Sequence, residues 1–370
     1  MPHPDIPIAR PRLGPEEEEA AAAVIRSGWI MQGPEVAAFE CEFAGHVGAS
    51  FACAVSSGTA ALHLALLAAG VRPGSDVVTV SHSFVATANS IRLCGAEPRF
   101  VDIEADTYNM DARLVEAAIG PRTRAVLCVH QLGLPCDLSA LAEIARRRGV
   151  ALVEDAACAA GSEIEWRGRW EPIGRPHADV ACFSFHPRKV MTTGDGGMVT
   201  TGSAAIDKRV RAWRQHESIE GVTALNYRMT DVQAAIGRVQ LRRLPELVAE
   251  RRRIVDQFRR RLRSVIVPAE PSWARTNWQS LCVRLPAGVR PASIGEALGR
   301  QGISTRPGIA NAHEPPLATE RTQSLPESER AQRETIMLPV VPGMTGEDIE
   351  RVSASLEAVL RASAVVGAGR

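Results

Sequence analysis

The chain has 370 residues, and its 43 basic against 42 acidic side chains leave a formal charge of +1. That length supports one large and one smaller domain with ample core, and the charge balance gives nucleic acid or an anionic membrane surface nothing to hold. Met1 to Glu19 contains no apolar core of a secretory signal, and the longest apolar run, Ala60 to Val71, is too short to span a bilayer, so a cytoplasmic protein is expected. Eight cysteines without a Cys-x-x-Cys pair read as buried reduced thiols, and no metal site is expected.

In chain order, Pro15 to Ser27 reads as an amphipathic helix with acidic residues in its first turn, where the macrodipole favours them. Gly28 to Pro34 interrupts it and exposes Trp29, either a turn anchor or one wall of a ligand mouth, before Glu35 to Val47 resumes a helical period. Short apolar strands are then expected at 51–55, 76–80, 98–101, 124–129, 151–154, 178–183 and 198–201, with helices at 59–69, 87–94, 111–119 and 138–148. This alternation predicts an α/β fold with a mostly parallel sheet sandwiched by helices. Ligands of such sheets bind outside the carboxyl ends of the strands.

Three strand ends carry chemistry. The first runs into Ser56-Ser57-Gly58-Thr59 at the start of a helix, where free amides and hydroxyls suit an anion, although an ordinary helix cap has the same residues. The loop is neither a Walker loop nor a Gly-x-Gly-x-x-Gly, so no nucleotide is implied. The fifth strand ends in Glu154-Asp155, where a partly buried carboxylate needs a cationic or donor partner, a protonated pyridine nitrogen or a helix amide. The sixth leads through Ser184 and His186 to Lys189 and a glycine-rich turn, a setting for an amine nucleophile or for a solvated lysine. Phosphate, pyridinium and aldehyde are the three handles of pyridoxal 5'-phosphate, and the three sites together accommodate them.

The segments Ser57 to Leu66, Ser83 to Asn89, Glu154 to Ala157, Phe183 to Lys189, Thr192 to Gly197 and Asn226 to Met229 resemble the DegT/DnrJ/EryC1/StrS sugar aminotransferases, which have the fold of type I pyridoxal-phosphate enzymes. The resemblance implies that Lys189 binds the cofactor's aldehyde and shuttles the proton, and that Asp155 meets the ring nitrogen. It implies phosphate ligands in Ser57, Gly58, Thr59 and Ser184, with Phe84 against the ring and Cys158 near the 3'-oxygen, where many relatives carry Gln or His. Asn226 matches a residue that reaches the neighbouring subunit's phosphate, which implies a homodimer with shared sites. Trp29, His186, Tyr227, Arg228 and, in a polar loop from Ile309 to Ser324, His313 are candidates to meet substrate. The implied activity is ping-pong amino transfer from glutamate or glutamine to a keto sugar, nucleotide-linked in the family pattern; a cyclitol ketone acceptor and a cofactor-binding regulator without turnover are the alternatives.

Downstream, Thr230-Asp-Val-Gln233 has the pattern of a capping box opening a helix to about Arg263, with a kink expected at Pro245. A large cofactor-binding part, 1–245, and a small α+β part, 246–370, are expected, the latter with a strand at 280–285 and helices at 291–300 and 345–360.

Overall fold

The computed structural model describes residues 6–315, 317–318 and 323–367. The expectations for residues 1–5 and for positions 316 and 319–322 of the polar loop lie outside them. Strands in the large part are β1 (Phe51–Val55), β2 (Asp76–Val80), β3 (Glu97–Val101), β4 (Thr123–Val129), β5 (Ala151–Asp155), β6 (Glu163–Trp166), β7 (Arg169–Pro172), β8 (Val180–Ser184) and β9 (Gly197–Thr201). Later come β10 (Ala274–Arg275), β11 (Leu281–Arg284), β12 (Arg306–Pro307) and β13 (Thr335–Leu338). The helices are α1 (Pro15–Ser27), α2 (Pro34–Val47), α3 (Gly58–Ala68), α4 (Ala86–Leu93), α5 (Ala112–Ala118), α6 (Leu138–Arg148), α7 (Ala204–Arg214), α8 (Asp231–Arg261), α9 (Pro291–Gly299), α10 (Pro326–Glu334) and α11 (Gly346–Gly367).

The main sheet has the order β1-β9-β8-β5-β4-β2-β3. Its pairings are parallel except those of β9, which runs antiparallel to β1 and to β8. Alternation along each strand sends side chains to two separate cores. Phe183 and Phe185 face one core with Phe39 and Phe43 of α2, their ring centroids 5.0–5.6 Å apart across the two segments. Cys182 faces the other with α3, and Ser184, two residues on, follows it toward that helix. Each buried aromatic contributes about 1.5–3 kcal/mol, and the cluster fixes β8 just before it delivers Ser184 and the lysine loop.

A third core gathers Phe258 and Ile254 of α8, Leu281 and Val283 of β11, Ile336 of β13 and Leu356 of α11, together with Ile6. There β11, β13 and β12 form a small antiparallel sheet. The capping box at Thr230 and Gln233 is present, and α8 continues as one helix through Pro245. The hairpin β6–β7, extended by β10, was not signalled by the sequence, nor were α7, α10 and β12. All eight cysteines are free, and Cys41 differs from the expected burial by being exposed. No helix among the described residues is long and apolar enough to cross a membrane.

Candidate active site

The first strand end is a helix N-terminus. Ser57 caps α3, its Oγ accepting from the Ala60 amide at 3.1 Å, which leaves the amides of Gly58 and Thr59 at the open end of the helix. Gly58 has no room for a side chain, because a Cβ there would stand 2.7 Å from Ser184 Cβ. The close approach of α3 to β8 therefore puts the Ser184 hydroxyl beside the helix start. Hydroxyls and amides around a small-residue cradle suit a phosphate.

At the second strand end the two neighbouring acids part company. Alternation directs Glu154 to the α6 side, where it accepts a hydrogen bond from His130 Nε2 at 2.9 Å; His130 Nδ1 in turn accepts from the Cys136 amide. A ring nitrogen that accepts carries no proton, so this histidine is held neutral with its proton on Nε2. Asp155 turns to the α4 side. The Thr87 hydroxyl donates to its Oδ2 at 2.7 Å and the Ala157 amide to its Oδ1 at 3.2 Å. Burial pushes the Asp155 carboxyl up, while Thr87, Ala157 and the charge of Lys189 pull it down. A buried carboxylate with two neutral donors and, among the described residues, no ion pair is under-compensated; a protonated ring nitrogen supplies what is missing.

Lys189 is half-buried, and its Nζ donates to Cys158 Sγ at 3.2 Å. The loop carrying it is pinned at both ends. The Lys189 amide donates to His186 O at 2.8 Å, and the Thr192 hydroxyl and Thr193 amide both donate to Phe185 O. Gly194 and Gly196 take positive φ values of 85° and 157°, which a side chain would disfavour. From the far side, the Gln279 side-chain amide donates to Arg188 O at 2.9 Å, and the Asn277 amide donates to Cys158 O and Ala160 O, both at 2.8 Å. The residues present thus fit pyridoxal phosphate at its phosphate, ring nitrogen and aldehyde ends.

The remaining candidates divide. Phe84 and Trp29 are exposed, with 75% and 61% of their surface accessible, and are free to meet a ligand or another chain. His186 is exposed, its Nδ1 accepting from the Arg188 amide. Asn226 is exposed and accepts from Arg228 Nε at 3.0 Å. The Tyr227 hydroxyl is instead tied to His63 Nδ1 of α3 at 3.2 Å. His313 departs from the expectation of a histidine at the site mouth. It is fully buried, with Nδ1 2.6 Å from Ser81 Oγ, because its segment bridges to the end of β2. His313, Glu314 and Glu329 bring ligand-type atoms within 4.8 Å of one another, but Glu314 already accepts from Asn311 and Gln332, and Glu329 from the Leu325 amide. Sequence reasoning passed over Thr87, Asn277 and Gln279: Thr87 lay inside a quoted motif without a role, and the other two follow no motif.

Residues 11–357 match the DegT/DnrJ/EryC1/StrS aminotransferase family. The chain is similar to the aminotransferase TlmJ from Streptoalloteichus hindustanus, with 35% identity and a TM-score of 0.90, covering 97% of this chain and 100% of that one. DesI, solved in the presence of its TDP-sugar product, has 29% identity and a TM-score of 0.91 over 99% of this chain and 95% of its own. Spr1654 from Streptococcus pneumoniae in its PLP form has 26% identity and a TM-score of 0.89 over 96% of this chain and 99% of its own. Fold, strand-end geometry and these likenesses agree that the chain belongs to the DegT/DnrJ/EryC1/StrS family and is a pyridoxal-phosphate-dependent aminotransferase.

Proposed function

We propose that the protein moves an amino group from glutamate or glutamine to a nucleotide-linked keto sugar in two half-reactions, as a cytoplasmic homodimer. The observation that carries the reading is the meeting of the Ser57–Thr59 cradle, the Asp155–Thr87 pair and the Lys189–Cys158 pair at neighbouring strand ends. The likeness to DesI, solved with a TDP-sugar product, supports a sugar acceptor on a nucleotide.

When bound, pyridoxal phosphate supplies the electron sink that lets a proton leave the donor's α carbon. The chain's own residues do the rest. The cradle amides and the Ser57 and Ser184 hydroxyls anchor the phosphate, and Asp155, oriented by Thr87, holds the ring nitrogen protonated. Lys189 Nζ would take the proton from the donor's α carbon and hand it to the bound cofactor, and in the second half-reaction would carry a proton the other way, to the acceptor's former carbonyl carbon, which its place on a pinned loop suits. Cys158 is the group next to that nitrogen and sets its immediate polarity. Trp29, Phe84, His186 and Arg228 are available to the acceptor, and Asn226 to a partner subunit's phosphate group. The division into a cofactor-binding part, 1–245, and a small part, 246–370, belongs to the same proposal, with the small part supplying the Asn277 and Gln279 clamp.

The test is the separated half-reaction. Glutamate alone should convert the loaded enzyme in one turnover, and a nucleotide keto sugar should restore it, with a cyclitol ketone offered in competition. Loaded enzyme that neither glutamate nor glutamine converts contradicts the donor assignment; preference for the cyclitol contradicts the acceptor.

A further inference from the structure

Away from the cofactor site, a buried histidine is held with one ring nitrogen unused. The segment 311–314 is drawn onto the end of β2: the Ala312 amide donates to Ser81 O and the His313 amide to Ser81 Oγ, both at 3.0 Å. His313 is thereby fully buried, with Nδ1 2.6 Å from Ser81 Oγ. Its Nε2 is buried without a hydrogen-bond partner among the described residues. That nitrogen faces Glu329 Oε1 of α10 at 3.7 Å, too far for a hydrogen bond. A buried polar atom left in this way is uncommon in a folded protein and calls for a ligand or an ion.

Two carboxylates converge on it. His313, Glu314 and Glu329 each bring a ligand-type atom within 4.8 Å of the others. Glu314 takes both of its donors, Asn311 Nδ2 at 3.0 Å and Gln332 Nε2 at 3.2 Å, on Oε2, and Glu329 takes the Leu325 amide on Oε1 at 2.9 Å. Such bonds orient a carboxylate without using up its lone pairs, as hydrogen bonds to the ligands of a metal do. Donors about 2.0–2.2 Å from a tetrahedral zinc stand roughly 3.3–3.6 Å apart, so the 3.7 Å between Nε2 and Oε1 spans an ion with little adjustment. A neutral imidazole and two carboxylates bring two negative charges, the complement of a divalent cation. The imidazole favours a transition ion over magnesium or calcium, which take oxygen ligands. An ion on Nε2 also selects the tautomer that donates from Nδ1 to Ser81 Oγ, the support that metal-bound histidines usually have.

We propose that His313, Glu314 and Glu329 form a site for a divalent transition ion, zinc by its donor set, which fastens α10 to the end of β2. Glu314 is half-buried, so the remaining position is left to water. The clasp lies behind the cofactor pocket: Ser83, two residues beyond Ser81, meets the Thr87 hydroxyl at 2.8 Å, and Thr87 holds Asp155. Its role is structural, and it depends neither on the amino donor nor on the acceptor.

The test reads metal content rather than turnover. Tag-free holoenzyme is stripped with a chelator, dialysed to equilibrium against zinc and, separately, manganese, and its metal content is measured for wild type, His313→Asn, Glu314→Gln and Cys41→Ser. Cys41 is an exposed thiol, the control for adventitious zinc. Glu314 is half-buried and glutamine keeps its shape, so that variant stays informative if His313→Asn does not fold. About one zinc per chain in wild type, bound at least tenfold more weakly in Glu314→Gln, absent from His313→Asn and unchanged in Cys41→Ser, supports the site. A melting temperature that zinc raises in wild type but not in Glu314→Gln supports it independently. Manganese retained in place of zinc, with the same dependence on these residues, supports the site with a different ion in it. Wild type that retains neither ion overturns the proposal, as does zinc bound equally well by the His313 and Glu314 variants or lost with Cys41→Ser.

Discussion

The two sides of the site are held by different kinds of structure. The phosphate cradle is local: Ser57, Gly58 and Thr59 are consecutive, the cap is made within one turn, and a single close approach to Ser184 completes it. The lysine side is assembled from distance, with Cys158, Lys189, Asn277 and Gln279 meeting through side-chain hydrogen bonds that span up to 119 residues. A local cradle depends on the space at one glycine, whereas the long-range side depends on whether the segment after β10 stays docked. That difference predicts how each side fails.

The largest effect is expected at the chemistry itself. Lys189→Ala should lower kcat by on the order of 10²–10⁴-fold or more, through loss of the proton-transferring group, while leaving cofactor retained by cradle and Asp155 detectable by equilibrium dialysis. Next, Gly58→Val should strike the cradle alone: the added side chain meets Ser184, and an overpacking cost of about 1–3 kcal/mol should appear as weaker cofactor binding, with kcat at saturating cofactor less affected. Asn277→Ala should give the opposite split, because losing two hydrogen bonds to the Cys158 turn costs about 1–3 kcal/mol and displaces Cys158 from Lys189, so kcat falls more than cofactor affinity. Should both variants show the same split, the contrast between the two sides is wrong.

The smallest effect concerns Asp155 and has a sign in pH. Burial raises its carboxyl pKa in the protein without cofactor, so the stabilisation associated with the protonated form is present below the ordinary aspartate value, about 4, and is lost as pH rises through the raised one. Asp155→Asn should therefore melt higher than wild type as apoprotein near neutral pH, by about 1 kcal/mol, with the gap closing in acid. The same variant should bind cofactor more weakly, the trade between stability and function expected of a polar group buried for a ligand. Thermal melts of both apoproteins at two pH values, followed by cofactor titration, read out the two effects.

This contrast also explains what was legible in the sequence. The strands ending at Val55, Asp155 and Ser184 each pair an apolar run with polar residues at its carboxyl end, so the fold class, and the three strand-end clusters proposed to hold the cofactor, could be read from local pattern. Which of two adjacent acids faces the site follows from alternation, once β5 has a register. The hairpin β6–β7 is built of charged and tryptophan residues without an apolar run, and β10 and β12 are two residues each, too short to carry a period. His313 looked like a loop histidine because its burial comes from a bridge between Asn311 and His82, more than two hundred residues apart. Arg188 was visible as a letter beside the lysine, but that its buried Nε finds no hydrogen-bond partner among the described residues is a property of the folded surroundings.

The most direct test of the central claim, that Lys189 is the amine joined to the cofactor, is the visible absorbance of the protein reconstituted with pyridoxal phosphate, before and after L-glutamate, for wild type and Lys189→Ala. The account predicts a visible band in the wild type that glutamate removes and a keto sugar restores, and no such band in the variant under the same conditions. A wild type without the band after reconstitution, or a variant whose band and glutamate response match the wild type, would contradict it.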